Sequence, residues 1–275
     1  MKKKLRKIAM CILILVFVVS TALSLRQFRD NAGGESAYQD AMEIAMNSQT
    51  EEVPDETEPP ATTPAAEPVT VWEPAPVTDD PVMEEMAQIN LAALRAANED
   101  VLGWIRIPDT KIDYPLMQGE DNDFYLNHTW DKQPNSVGSI FLEYLNSPDL
   151  TDYNTIVYGH NMKNDSMFGQ LENYALQHYW QAHPYVYIAT VDGVFRYEVF
   201  AFFRAEVDSL TYSINPTQDE TKAAFLKLSL ENAWYDTGIA PELTDRILTL
   251  STCTSASYAN RYVMQARLPM VEVTK

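Results

Sequence analysis

The chain has 275 residues and a formal net charge of −19, with 39 Asp and Glu residues against 20 Lys and Arg residues. Nucleic-acid binding requires a basic patch or stripe, and nothing in this composition suggests one. The charge is also uneven. Residues 1–29 hold seven basic and no acidic side chains, whereas residues 30–94 hold fifteen acidic and no basic ones, so much of the acidity belongs to the middle segment.

The N-terminus predicts a membrane anchor. Residues 1–7 form a basic tail, and residues 8–25 carry no charge and are mostly aliphatic or Phe. Eighteen such residues, at about 1.5 Å each, are just long enough to cross a hydrocarbon core of about 30 Å. The basic tail should stay in the cytoplasm and leave the rest outside. The alternative is a signal peptide cleaved after Ser20-Thr21-Ala22. Both interpretations place the bulk of the chain outside the cell membrane.

Residues 26–82 predict an acidic, proline-rich extracytoplasmic linker. Eight of the sixteen prolines fall between Pro54 and Pro81. Such a segment buries too little apolar surface to offset its ordering entropy, and proline together with like charges keeps it extended. Residues 37–46 have some helical character, but no folded unit is expected there. The linker is interpreted as a stalk.

Residues 83–275 predict a single domain that is long enough for a sizeable core. The pattern predicts a helix over residues 83–98, a second that Asp165 or Ser166 caps and that extends to 174, and a third over 217–234. The Asp-Gly pair at 192–193 predicts a hairpin. The predicted strands are residues 101–107, 112–117, 139–143, 155–158, 185–190, 194–203, 246–252 and 262–268. Many short strands with a few helices favour a mainly β fold, a barrel or a sheet decorated by helices.

Cys253 is the candidate nucleophile. The only other cysteine, Cys11, lies in the predicted anchor, so Cys253 has no intramolecular disulfide partner. A leftover cysteine in an exported chain indicates intermolecular pairing or a reactive thiol. The alternative is an inert buried thiol, since free cysteine is among the most buried residue types. A reactive thiol needs a basic or cationic neighbour.

His160 is the best-placed candidate base. It follows the predicted strand 155–158 and opens a loop, where catalytic side chains are commonly presented. The other histidines are His128, His178 and His183. An ordinary surface or packing role is the alternative for each histidine. For the cation, Arg261 lies near Cys253 if the last two strands pair antiparallel, and its guanidinium suits an oxyanion. Arg267, at the far end of the same strand, is interpreted as a surface charge.

Five sequence blocks, in order, resemble the class B sortases of Gram-positive bacteria. They are residues 98–115, 121–126, 158–169, 249–253 and 261–267, and they include Tyr-Gly-His-Asn and Thr-Leu-Ser-Thr-Cys. The resemblance extends from about residue 84 to the C-terminus. It implies a sortase-type β-barrel with an N-terminal helical addition and a helix in the loop before the cysteine strand, which fits residues 217–234.

The resemblance also implies roles for individual residues. Cys253 would be the nucleophile, His160 the acid and base, and Arg261 the group that stabilises the oxyanion and the substrate. Thr254 would contribute to the oxyanion hole. The implied positions of the substrate groove are Asn122, Leu126, Tyr158 and Ser251. No cofactor or metal is implied, and the acidic residues 120, 121 and 123 are interpreted as a solvated loop.

The implied activity is that of a membrane-anchored cysteine transpeptidase. It would cleave the C-terminal sorting signal of exported proteins through a thioacyl-enzyme and join them to an amine of a peptidoglycan precursor. A pilus-polymerising sortase that uses a pilin lysine is the alternative within the family. A non-catalytic, stalked wall-binding protein is the alternative of another class. A papain-like hydrolase is disfavoured because its cysteine signature is absent. The sorting signal, the acceptor amine and the oligomeric state stay open.

Overall fold

The computed structural model describes residues 2–47, 70–254 and 259–274. Its strands are β1 Thr70–Pro74, β2 Val101–Arg106, β3 Asp113–Met117, β4 Ile140–Leu142, β5 Asn154–Tyr158, β6 Tyr185–Thr190, β7 Gly193–Glu206, β8 Arg246–Cys253, β9 Asn260–Leu268 and β10 Met270–Thr274. Its helices are α1 Lys2–Met46, α2 Pro81–Met86, α3 Leu91–Ala97, α4 Gln177–Ala182 and α5 Asp219–Asn232, with 3₁₀ helices at Phe124–Leu126, Gly169–Ala175 and Leu210–Tyr212.

Eight strands close into a barrel in the order β2-β3-β4-β5-β8-β9-β7-β6. The β3/β4 and β5/β8 pairs are parallel, and the remaining pairs are antiparallel. All eight predicted strands are present and the predicted barrel is confirmed. The hairpin at the Asp-Gly pair is present as well, with Thr190 opposite Gly193. Closure removes the exposed edges that an open sheet would leave.

The sequence did not predict the two-stranded sheet outside the barrel. β1 pairs antiparallel with β10, so that Thr70 lies opposite Thr274. The two strands are separated by most of the chain, and β1 has the proline-rich neighbourhood typical of a linker. Local pattern therefore gave no strand signal for β1.

Two hydrophobic clusters stabilise the domain. The larger one fills the barrel and the space beneath α1 to α3, and includes Trp104, Leu116 and Leu250. The smaller one packs Phe225 of α5 against Phe203 and Val263 on the outside of the barrel. Each fully buried large apolar side chain contributes about 1.5–3 kcal/mol, so these clusters make the barrel a rigid support for the residues at its ends.

The helix predicted over residues 83–98 is two helices, α2 and α3. Asp80 caps α2 by accepting hydrogen bonds from the backbone N–H groups of Val82 and Met83. Asn90 caps α3 by accepting one from Ala93 N at 3.0 Å. Asn and Asp are strong N-cap residues. The prediction of one continuous helix was wrong because Asn90 begins a new helix.

The helix predicted from residue 165 or 166 to 174 is also different. Asp165 and Met167 have positive φ values of 64° and 52°, which an α-helix excludes. Residues 169–175 instead form a 3₁₀ helix that is followed by α4. The third predicted helix, over 217–234, is α5.

The prediction of an extended linker was wrong for two of its stretches. α1 continues through residue 46, and its second half buries a stripe formed by Gly34, Tyr38, Ala41 and Ala45 against the domain. Residues 70–74 form β1. The rest of the proline-rich stretch, residues 48–69, lies outside the described residues. The linker interpretation failed because the packed face of α1 is made of small residues and one tyrosine, which composition alone does not distinguish from a stalk.

The first half of α1 has a different environment. Side chains from Met10 to Arg29 are all exposed. Among the described residues, α1 is the one helix that is long and apolar enough to cross a membrane by length and composition. The predicted membrane span over 8–25 lies within it, and the anchor and its topology stay predictions.

Candidate active site

The end of β8 brings the three predicted catalytic residues together. β8 lies between β5, which is parallel to it, and β9, which is antiparallel. Cys253 is the register partner of Arg261 on β9. On the other side, Tyr158 of β5 pairs with Ser251, and His160 follows Tyr158 by two residues as Cys253 follows Ser251. One end of the barrel therefore carries a thiol with an imidazole on one flank and a guanidinium on the other.

His160 is held against the carbonyl of Leu126. The distance from His160 Nε2 to this oxygen is 2.7 Å. A carbonyl only accepts hydrogen bonds, so Nε2 carries a proton, and Nδ1 is the ring nitrogen left for proton exchange. The His160 carbonyl accepts a hydrogen bond from Phe168 N at 2.9 Å. Both the ring and the backbone of the histidine are thus fixed.

Gly138 lies against the His160 ring. It has a φ of +63°, and a Cβ atom at this position would lie 3.0 Å from His160 Cδ2, 2.7 Å from the Tyr125 carbonyl and 2.8 Å from the Leu126 carbonyl. Glycine is required here both for the left-handed backbone and for the close approach.

Cys253 is half-buried and free, which does not fit the interpretation of a fully buried inert thiol. Its carbonyl accepts a hydrogen bond from Asn161 Nδ2 at 2.9 Å. The neighbouring Thr252 Oγ1 donates to the Gly159 carbonyl at 2.7 Å. These two bonds join the strand end that carries Cys253 to the loop that carries His160. Sequence reasoning had placed Asn161 in the motif but had given it no role.

Arg261 and Thr254 meet around one carbonyl. Arg261 Nη1 donates to the Asn260 carbonyl at 3.2 Å, and Thr254 Oγ1, which is buried, donates to the same oxygen at 3.4 Å. Residues 255–258, between Thr254 and the turn into β9, lie outside the described residues. The oxyanion roles of Arg261 and Thr254 stay predictions.

Two predicted groove residues share a carboxylate that the sequence did not single out. Asn122 Nδ2 and the Tyr158 hydroxyl both donate to Glu143 Oε2, at 2.7 and 2.9 Å. Asn122 Oδ1 accepts from Tyr144 N at 3.1 Å, so its amide orientation is fixed. Burial raises the pKa of Tyr158, and the Glu143 carboxylate raises it further, so this hydroxyl stays a donor. The sequence did contain one signal for Glu143, which is a charged residue at the end of the apolar strand predicted over 139–143.

The remaining predicted groove residues lie close by. Ser251 is buried, and its hydroxyl is 2.9 Å from the Tyr212 hydroxyl. Burial raises the pKa of Tyr212. Leu126 contributes its carbonyl to His160, while its side chain is half-buried. Tyr212 was missed by sequence reasoning, since nothing in its neighbourhood distinguishes it from an ordinary loop tyrosine.

Comparison with known proteins assigns the family. The sortase domain family matches residues 105–269. The chain belongs to the sortase family. It is 38% identical over 182 residues to the sortase B of Listeria monocytogenes, covering 65% of this chain and 73% of that protein. It is 28% identical over 173 residues to the sortase B of Staphylococcus aureus, covering 63% and 71%.

Solved structures agree with the class. The structure of sortase B from Bacillus anthracis in complex with AAEK1 superposes with a TM-score of 0.68 at 27% identity, and the match covers 88% of this chain and 98% of that one. The resemblance to class B sortases is confirmed, and the chain is a cysteine transpeptidase of that class.

A second groove of about 390 Å³ opens on Cys253 in this sortase. It is lined by Asn161, Met162, Lys163, Asp165, Gly169, Glu172, Cys253 and Thr254. The lining residues from 161 to 172 follow the end of β5, and Thr254 follows the end of β8, whereas Tyr158 and Ser251 belong to these strands. Of the lining residues, the sequence had predicted Cys253 and Thr254 as site residues.

The other basic candidates lie elsewhere in the sortase domain. His128 stacks on Phe124 with ring centroids 4.0 Å apart, His183 Nδ1 lies 3.0 Å from the Pro108 carbonyl, and His178 is exposed on α4. Arg267 lies between Glu198 and Asp245, at 2.9 and 3.3 Å. The prediction that Arg267 is a surface charge was wrong, because β9 brings it to a buried carboxylate.

Proposed function

We propose that this chain is a membrane-anchored sortase that cleaves a C-terminal sorting signal of exported proteins and joins them to an amine of a cell-wall precursor. The observation that carries the proposal is the register at the end of β8, where Cys253 lies opposite Arg261 and beside the His160 loop. A nucleophile, a proton carrier and an oxyanion-stabilising cation are the groups that acyl transfer needs.

The first half-reaction forms a thioacyl-enzyme. The Cys253 thiolate attacks the carbonyl carbon of the scissile peptide bond, and the carbonyl oxygen becomes an oxyanion that Arg261 and Thr254 stabilise. The C–N bond then breaks, and His160 donates a proton to the leaving amine. Because Nε2 is bound to the Leu126 carbonyl, the transferred proton resides on Nδ1.

The second half-reaction transfers the acyl group. An acceptor amine attacks the thioester carbon, His160 takes a proton from this amine, and the Cys253 thiolate leaves as the new amide forms. The surface with Asn122, Tyr158 and Glu143 suits the sorting signal. The second groove, which also opens on Cys253, gives the acceptor amine an approach to the thioester carbon.

α1 supports a location at the membrane. Its exposed apolar half anchors the chain in the membrane, with the basic tail in the cytoplasm and the domain outside. Because the same helix continues into the domain, the active site is held close to the membrane surface, where lipid-linked wall precursors are displayed.

Intact-protein mass spectrometry tests the proposal. The full chain in detergent is incubated with a panel of sorting-signal pentapeptides and no acceptor amine. The expected result is a mass gain equal to the N-terminal acyl fragment, which is absent in Cys253→Ala. No adduct with any peptide, together with a folded-state thiol that does not react with iodoacetamide, would refute it.

A second step identifies the acceptor. The acylated enzyme is mixed either with a peptidoglycan stem peptide or with a lysine-bearing pilin peptide. Faster release of the acyl group as an amide of the stem peptide supports wall anchoring. Preference for the pilin lysine would replace wall anchoring with pilus assembly while keeping the transpeptidase activity.

A further inference from the structure

The second half of α1 is joined to the domain by specific hydrogen bonds. Trp130 Nε1 donates to the Ala37 carbonyl at 2.7 Å, and Asn135 Nδ2 donates to the Asp30 carbonyl at 3.0 Å. Near the end of the helix, Asn90 N donates to the Ala45 carbonyl at 2.9 Å. Bonds at both ends and in the middle fix the rotation of the helix about its axis, which determines where Tyr38 points.

Tyr38 reaches from α1 to the segment that contains Gly138. Its hydroxyl donates to the Gly138 carbonyl at 2.5 Å and lies 3.1 Å from Ser139 Oγ. Ser139 Oγ in turn donates to the His128 carbonyl at 2.8 Å. Only 9% of Tyr38 is exposed, so the loss of its hydroxyl leaves a buried carbonyl without this donor, which is unfavourable.

The segment held by Tyr38 is also the surface on which His160 rests. The space beside the Gly138 Cα is bounded by His160 Cδ2 and by the Leu126 carbonyl, and that carbonyl accepts the hydrogen bond from His160 Nε2. The Gly138 backbone therefore packs closely against both the ring and its acceptor, and a displacement of Gly138 is transmitted to them. Two contacts separate the Tyr38 hydroxyl from the imidazole.

A second path connects Tyr38 to the backbone of the His160 loop. The Tyr38 ring packs edge to face on Tyr114, with centroids 5.1 Å apart. The Tyr114 hydroxyl accepts a hydrogen bond from Met167 N at 3.1 Å, and Met167 is bridge-paired with Asn161. Tyr38 thus supports the ring of His160 through Gly138 and the loop of His160 through Tyr114.

We propose that Tyr38 is a positioning residue for His160, so that the helix that carries the membrane anchor also sets the geometry of the catalytic imidazole. The inference rests on the proposed role of His160. It predicts that the docking of α1 is needed for proton transfer at full rate, and not only for stability.

Tyr38→Phe in the full chain tests the proposal, because it removes the hydroxyl and keeps the ring on Tyr114. Tyr187→Phe is the matched control, because Tyr187, on β6, is buried and its hydroxyl donates to Asp80 Oδ2 at 3.1 Å. For Tyr38→Phe we expect kcat to fall about tenfold with KM within about twofold, as small displacements of a catalytic group do. For Tyr187→Phe we expect a similar loss of stability and unchanged kcat.

A readout that needs no substrate separates this proposal from the proposed function. The chain has four histidines, so the Nε2–H signal of His160 can be assigned by NMR as the one lost in His160→Gln. In the wild type this proton is protected by Leu126. The proposal expects this signal to broaden and the titration of the His160 ring to shift in Tyr38→Phe. It expects neither change in Tyr187→Phe.

The outcomes are distinct. An unchanged His160 signal and an unchanged pH profile of kcat in a folded Tyr38→Phe would overturn the proposal and leave α1 a packing element.

If Tyr38→Phe does not fold, Trp130→Phe takes its place, since it loosens the Ala37 contact next to Tyr38. A smaller His160 change in the same direction supports the proposal, and a wild-type His160 signal overturns it. An inactive wild type with a changed His160 signal in Tyr38→Phe would refute only the proposed function.

Discussion

The surroundings of the two ends of β9 are held together by different interactions. At the end beside Cys253, the surface around His160 includes a neutral hydrogen bond from Tyr38 to Gly138, and an added Cβ atom at Gly138 would lie 3.0 Å or less from its neighbours. At the other end, Arg267 bridges Glu198 and Asp245, and Arg196, which lies two residues before Glu198 on β7, pairs with Asp80.

This difference separates catalysis from stability. Neutral hydrogen bonds and tight packing hold the His160 ring, while charged side chains such as Glu143 and Glu172 line the surfaces beside Cys253. The ion pairs of Arg267, at the other end of β9 from Arg261, stabilise the fold. Changes at the first end should therefore reduce turnover more than stability, and changes at the other end should do the reverse.

The largest effect on turnover is expected from His160→Ala. Loss of a general acid and base typically costs 10²- to 10⁴-fold, and the half-buried ring leaves a small void, so the fold should survive. Steady-state transpeptidation measures the turnover, and thermal unfolding of the same sample shows whether the fold survives. Turnover within about tenfold of the wild type would show that the Cys253 end does not depend on this imidazole.

Gly138→Ala should reduce turnover about 10- to 100-fold, because the added Cβ pushes on the Leu126 carbonyl and the His160 ring. Gly238→Ala is the control. Gly238 has a similar φ of +74° but no heavy atom within 4 Å of the added Cβ, so it should cost only about 1 kcal/mol of backbone strain with unchanged kcat. Equal turnover in both variants would contradict the close packing inferred for His160.

Arg267→Met should destabilise the fold by about 2–3 kcal/mol, because the Asp245 carboxylate, with only 3% of its side chain exposed, loses its cation. Its turnover should match that of the wild type. The control is Lys227→Met in the exposed Lys227–Glu231 pair, where about 0–0.5 kcal/mol is expected. Chemical denaturation gives both values. A loss of turnover in folded Arg267→Met would break the separation between the two ends.

The smallest expected effect is a change in the stability of the fold as the pH falls. Burial alone raises the pKa of Asp80, but hydrogen bonds from Met83 N, Arg196, Tyr187 and Val82 N outweigh it and lower the pKa below its ordinary value. The resulting stabilisation is present above about pH 4, the unfolded-state pKa, and is lost as the pH falls through the lower folded-state pKa. The unfolding free energies of wild type and Asp80→Asn should therefore differ by about 1 kcal/mol at pH 7 and converge below pH 4. A gap independent of pH would contradict this.

Much of the barrel was predictable because strands leave a local signal. Alternating apolar residues and turn residues marked all eight barrel strands, and the Asp-Gly hairpin joined two of them. The docking of the second half of α1 on the domain was not predictable, because the buried residues Gly34, Ala41 and Ala45 have the composition of a linker. The sheet of β1 and β10 joins two segments that are separated by most of the chain, and a local pattern does not contain such a pairing.

The candidate site divides in the same way. The sequence by itself identified the candidate nucleophile and the candidate histidine, since Cys253 ends one strand motif and His160 follows another. Only the tertiary structure decided which groups hold the site together. Glu143 accepts hydrogen bonds from Asn122 and Tyr158. Asn161 donates to the Cys253 carbonyl, and Tyr38 donates to the Gly138 carbonyl. Tyr38 and Gly138 are 100 residues apart. The physical reason is that hydrogen bonds and close packing depend on which segments meet in space, and chain closure brings these segments together only in the folded barrel.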